Sequence, residues 1–310
     1  VTRLLVHGMK RTVGHDMTRR SLPRRAWLGL SRARTLRTDP SPTLVVLFLR
    51  GGADGLALVP RRDAELERLR PTLTGRSVDL DGLFGLHPGL APLLPFFREG
   101  VLGVVHAVGS DDATRSHFEA QDRMERAGAG GRDEGSGSVG RLLREIAAPA
   151  GLAAVSPGAR APESVRGAPG IAVLERVDDF RLSLLDDDVL YRDALESMCA
   201  SGRWRRPEER AVAAAGQRAL DTLDRIAALR GVPSPLHGAA YPDHVVGRRL
   251  SDVARLVRAD VGLRVACLDF DGWDTHFVQA RAMDSLAATL GDALAAFARD
   301  LGPDLSRVTL

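Results

Sequence analysis

The segment LDFDGWDTHF, residues 268–277, places Asp269, Asp271, Asp274 and His276 within eight residues. Carboxylates beside an imidazole are a donor set for zinc or manganese, and two such ions about 3.5–4 Å apart clamp both oxygens of an in-line displacement. Asp274 also reads as a helix cap, because a long helical pattern follows it. A second group, TRSHF at 114–118, brings Thr114, Arg115, Ser116 and His117 to a helix start. Helix N-termini attract anions, and a hydroxyl beside histidine and arginine suits a nucleophile for ester cleavage. The competing reading is structural, since Ser116 and Glu119 have the S-x-x-E spacing of a capping box. In a third group, FLRGGADGL, Arg50 and Asp54 flank two glycines. Glycines let a backbone approach an ion closely, which makes Asp54 a candidate ligand and Arg50 a candidate anion clamp. Gly-Ala-Asp-Gly is also ordinary turn chemistry. His87 at a helix start and His106 within an apolar strand fit hydrogen-bonded core positions better than ligand positions.

For the three groups to meet, each must leave the same edge of one sheet. TLVVLFL (43–49) and LRVACLDF (263–270) are apolar, β-branched runs of the kind that become strands covered on both faces. VLGVVHAVG (101–109) reads as another, joined to the first through a short proline-rich helix at 87–100, which implies a parallel crossover. GLAAVSPG and GIAVLERV are weaker strand signals, and RVTL at 307–310 reads as a strand beginning. Helical spacing marks a segment from about Ser116, then 141–149, 207–230, 243–260 and 278–300. The glycine- and serine-rich stretch 128–140 reads as a lid or an insertion. The alternation predicts an α/β fold, a mostly parallel central sheet between helical layers. Ligands of such folds gather beyond the carboxyl ends of the strands, where all three groups lie.

With 310 residues, 44% apolar and 27% charged, the chain has material for a large core and is not disordered. Residues 1–39 hold ten basic side chains against two acidic, so although the whole chain is +3, residues 40–310 are acidic at −5. An acidic body with scattered arginines argues against a nucleic-acid surface. GGADGL lacks the dinucleotide spacing and there is no phosphate loop of the Walker type, so no nucleotide cofactor is expected. Cys199 and Cys267 have no zinc-ribbon or redox spacing; two buried thiols are expected, or a disulfide if the protein is exported. No stretch reaches the roughly 18–20 apolar residues of a membrane span. From Met17 the chain reads MTRRSLPRRAWLGL, a basic tail or a degenerate twin-arginine export signal with a short apolar region, giving a segment 1–42 ahead of a domain at 43–310. Export by that route or a cytoplasmic location follows from which of the two it is.

FLRGGADGL, GLHPGLAPL, GVVHAVGSDDATRSHFEAQDRME and GWDTH, in that order, resemble the bacterial family of unknown function numbered 1501, over residues 43–310. That family is grouped with the alkaline phosphatase and sulfatase superfamily of metal-dependent hydrolases. The resemblance implies an alkaline-phosphatase-like sheet, Asp54 as a first-strand metal ligand, and a nucleophile region at Thr114–His117, with His117 counted among the metal ligands. It also implies a later ligand pair, Asp274 and His276, with Asp271 as the alternative aspartate, because only Thr275 separates Asp274 from His276. Divalent zinc or manganese, or calcium, would be the cofactor and a small phosphate or sulfate ester the substrate. The family pattern continues after RVTL with further acidic and histidine residues, so the resemblance implies an incomplete sheet and ligand set at residue 310. The alternatives from another class are an exported binding or scaffold protein that keeps the fold, and an inactive fragment.

Overall fold

The computed structural model describes residues 4–6, 42–109, 113–127, 135–146, 152–179, 188–200 and 204–310. The export-signal reading from Met17 onward and residues 128–134 of the glycine- and serine-rich stretch 128–140 lie outside the described residues. The strands are β1 (Leu4–Val6), β2 (Thr43–Leu49), β3 (Val78–Asp79), β4 (Gly85–Leu86), β5 (Leu102–Val104), β6 (Ala154–Pro157), β7 (Ile171–Leu174), β8 (Val265–Phe270) and β9 (Val308–Thr309). Five of them form a sheet in the order β7-β6-β8-β2-β9, with every pairing parallel. This is the α/β architecture that the alternation of elements predicts. β2 is its spine: Leu44–Leu49 pair with Val265–Phe270 of β8, whereas β9 meets only Thr43 and Leu44.

The sheet separates two apolar clusters, and residue parity assigns each strand residue to one of them. Val45, Leu47 and Leu49 of β2 join Ala266, Leu268 and Phe270 of β8 on the larger face. There they pack against α9 (Val245–Arg258), α10 (Gln279–Leu301) and the tight 3-10 turns of Pro88–Leu93. Gly89 and Gly291 allow that close approach, since a Cβ on Gly291 would stand 2.2 Å from Gly89 O. Leu44 and Val46, with Val265 and Cys267, face the smaller cluster under α6 (Ser138–Glu145). Ahead of it runs α5 (His117–Arg126), capped by Ser116 Oγ, which accepts Glu119 N–H at 3.3 Å. A further pair, α7 (Asp188–Cys199) and α8 (Pro207–Ala227), packs together.

The segment 101–109 departs from its expected place. Only Leu102–Val104 is a strand, and it pairs in parallel with β1, outside the five-stranded sheet. Val105 and Val108 are about half exposed, and Ala107 turns the chain with φ of 56°. An apolar run records that a strand is shielded, not which strand shields it, and β9 takes the position beside β2. Both cysteines are free; Cys267 is buried, which pushes its thiol up to about 12, whereas Cys199 is half-buried. Among the described residues no helix is long and apolar enough to cross a membrane.

Candidate functional site

The carboxyl ends of β2 and β8 lie side by side, and two backbone hydrogen bonds lock the loops that leave them. Arg50 N–H donates to Phe270 O at 2.8 Å, and Trp273 N–H donates to Arg50 O at 3.0 Å. Trp273 is wholly buried, edge-on to Phe270 with ring centroids 5.3 Å apart, so the loop after β8 is anchored in the core. Thr275 N–H then closes a tight turn onto Trp273 O, which leaves Asp274 and His276 projecting outward on either side of buried Thr275. The glycine pair of the first loop makes room for this. Gly51 (φ 112°) and Gly52 (φ 96°) have conformations that side chains rarely adopt. A Cβ on Gly51 would meet Asp274 N at 2.4 Å, and one on Gly52 would meet His117 Nδ1 at 2.6 Å. The sequence motif GG therefore exists to let the loop after β8 and the start of α5 close over the end of β2.

What closes there is a cluster of His117, Asp274 and His276, whose ligand atoms all lie within 4.8 Å of one another. His276 Nε2 stands 2.9 Å from Asp274 Oδ1, His117 Nε2 stands 3.5 Å from the same oxygen, and the two Nε2 atoms are 3.3 Å apart. A tetrahedral zinc site with bonds of about 2.0–2.1 Å has donor–donor edges of about 3.3 Å, so the triangle has the right size for three ligands of one ion. Two imidazoles and one carboxylate are also the donor chemistry for zinc or manganese. The residues present thus fit the metal. Backbone strain brackets the cluster: Arg115 (φ 59°) lies two residues before His117, and Val278 (φ 46°) two after His276. A β-branched residue in the left-handed region is costly, and such strain concentrates at functional sites.

Beside the cluster opens a cleft of about 600 Å³, lined in part by His117, Asp274, Asp271, Asp269, Arg50 and Glu125. Arg50, Asp269 and Glu125 form its floor. Arg50 and Asp269 share the face of the sheet turned toward α5 and α6, because their parity is that of Leu44 and Cys267. Arg50 lies over the Phe48 ring at 4.4 Å and donates to both Glu125 oxygens, at 2.6 and 2.9 Å; its Nη2 is 2.9 Å from Asp269 Oδ1. Burial works against the guanidinium charge, but hydrogen bonds to Glu125 and Asp269 outweigh it and raise its pKa. Burial likewise raises Asp269, with Arg50 only partly offsetting it. Arg50 is therefore bracketed by two carboxylates.

The other expected residues are divided. Asp54 is buried and outside the cluster: Arg70 Nη1 donates to its Oδ1 at 3.2 Å, Arg70 Nη2 to its Oδ2, and Gln279 Nε2 to its Oδ2 at 2.7 Å. Asp271 is exposed on the wall of the cleft and is not part of the three-ligand group. Thr114 Oγ1 accepts Ser116 N–H at 3.1 Å, ahead of the cap that Ser116 itself provides, and Arg115 is exposed. His87 and His106 are away from the cluster: His87 Nε2 is 3.2 Å from Asp284 and His106 stacks on Phe84. Sequence reasoning passed over Glu125 and Arg160, which line the cleft. Glu125 sits in the last turn of α5 among charged residues, and Arg160 follows a weak strand; neither has a local signal.

Comparison with protein-family models, with curated proteins and with solved structures gives no match. The chemistry of the cluster has to be read from its own atoms.

Proposed function

We propose that this chain is a metal-dependent hydrolase of anionic esters, phosphate or sulfate, built on an alkaline-phosphatase-like sheet. The observation that carries the reading is the triangle of His117, Asp274 and His276 at the carboxyl edge of a parallel sheet, with its zinc-sized spacing. The resemblance of the four motifs to the family numbered 1501 supports the same reaction class, and the strained residues on both flanks support a functional position.

His117, Asp274 and His276 would hold the ion, and a divalent ion there supplies Lewis acidity and nucleophile activation at neutral pH. The remaining steps belong to the chain. Gly51 and Gly52 set the spacing of the ligands, and buried Trp273 and Thr275 keep Asp274 and His276 pointing to one place. Thr114 and Ser116 bring hydroxyls next to His117 at the N-terminus of α5, where the helix dipole favours an oxyanion. Ser116 Oγ accepts a backbone N–H, which makes the loss of its proton easier. The reading uses one ion, because among the described residues this is the only such ligand group and Asp54 is engaged by Arg70.

That engagement of Asp54 favours the second reading, a non-catalytic binding protein that keeps the site. One experiment separates them. The chain is loaded with zinc, manganese or calcium, the metal is counted by mass spectrometry, and aryl phosphates and aryl sulfates are assayed. The hydrolase reading expects one zinc or manganese ion per chain and turnover, with His276→Ala lowering metal affinity on the order of 100-fold. Metal uptake without turnover of either ester supports the binding protein, and no uptake removes both.

A further inference from the structure

We propose that Arg160 is the anion-recognition residue of the cleft, holding the phosphate or sulfate group of the substrate beside the metal cluster; this rests on the hydrolase reading. Arg160 follows β6, a strand two places from β2 in the sheet, and lines the same cleft as His117 and Asp274. The cleft has only one other lining arginine, Arg50, and that one is bracketed by Glu125 and Asp269. An anion approaching Arg50 would compete with two carboxylates already bonded to it.

Arg160 is in the reverse position. Two acids that line the cleft with it are held by arginines outside the lining: Asp122 by Arg126 at 2.8 Å, and Glu163 by Arg166 at 3.3 Å. Among the described residues Arg160 itself has no ion-pair partner. Its loop is pinned at both ends, by Gly158 N–H to Leu174 O at 2.9 Å and by Ser164 N–H to Glu125 Oε1 at 3.0 Å. A fixed loop reduces the entropy lost when its side chain binds, and a guanidinium matches two oxygens of phosphate or sulfate at once. Six acidic side chains line the cleft against two arginines, so an anion enters only where added positive charge meets it. A bound metal and Arg160 would together provide that charge.

The test is calorimetric binding of inorganic phosphate and, separately, inorganic sulfate to the zinc-loaded chain. The native chain is compared with Arg160→Gln and Arg160→Lys, with zinc content and melting temperature measured for each. The expected result is a loss of at least about tenfold in anion affinity for Arg160→Gln, a smaller loss for Arg160→Lys, and unchanged zinc content. A loss confined to one of the two anions names the substrate class. Anion affinity in Arg160→Gln within twofold of native, with zinc intact, overturns this proposal and leaves the hydrolase reading standing. Failure of the native chain to take up either zinc or manganese overturns the hydrolase reading and this proposal together.

Discussion

Asp54 and Asp274 leave adjacent parallel strands at the same edge of the sheet and have opposite fates. The Asp54 carboxylate is wholly buried and held by Arg70 and Gln279, on the side of the larger core. Asp274 is 54% exposed and faces two imidazoles. A buried carboxylate must be compensated by its own fold, so its charge is used for stability. An exposed one costs little to leave uncompensated and is available to bind something. Position at a strand's carboxyl end is therefore not enough to make an acid a ligand; the next requirement is that no arginine has been folded against it.

Removing the partner of the buried acid tests that contrast most severely. Arg70→Met leaves the Asp54 charge buried with the Gln279 amide, and a destabilisation of about 3–5 kcal/mol is expected in urea unfolding. Asp274→Ala under the same metal-free conditions should change stability by no more than about 0.5 kcal/mol. Similar values for the two variants would erase the distinction between them.

An intermediate effect is expected where the two regions touch. Gly52→Ala places a Cβ against His117 in a backbone with φ of 96°, at a cost of about 1–3 kcal/mol. Because the ring of His117 must give way, zinc affinity should fall along with stability. Native zinc affinity in this variant would mean that the glycine does not set the spacing of the triangle.

The smallest effect concerns pH on the buried side. His87 is 4% exposed, with Asp284 and Arg76 facing it, and burial lowers its pKa despite the favourable charge of Asp284. The unfolded chain then takes up its proton first, so this residue costs stability as pH falls below about 6.5 and nothing above it. His87→Asn, which keeps an acceptor for Gly89 N–H, should flatten the stability profile below that pH. An unchanged slope in acid-side unfolding curves would assign the pH dependence elsewhere.

Much of the frame was legible in the chain. The run 43–49 became β2 residue for residue, and the helical spacings at 207–230, 243–260 and 278–300 became α8, α9 and α10 with ends shifted by a few residues. Periodicity is a local property, and each of these elements is long enough to show it. The strand at 101–109 was misplaced for the complementary reason: its pairing partner is distant in sequence and leaves no local mark.

The site divides along the same line. Sequence by itself determined that acids and histidines stand at the carboxyl ends of strands, that a serine caps α5, and that two glycines follow β2. Only the tertiary structure decided that His117 meets His276 across 159 residues, that Asp54 is taken by Arg70, and that Glu125 claims Arg50. Residue type and spacing set which groups are available. Which of them are neutralised depends on charges brought together by packing, and a buried charge accepts the partner that the fold places beside it.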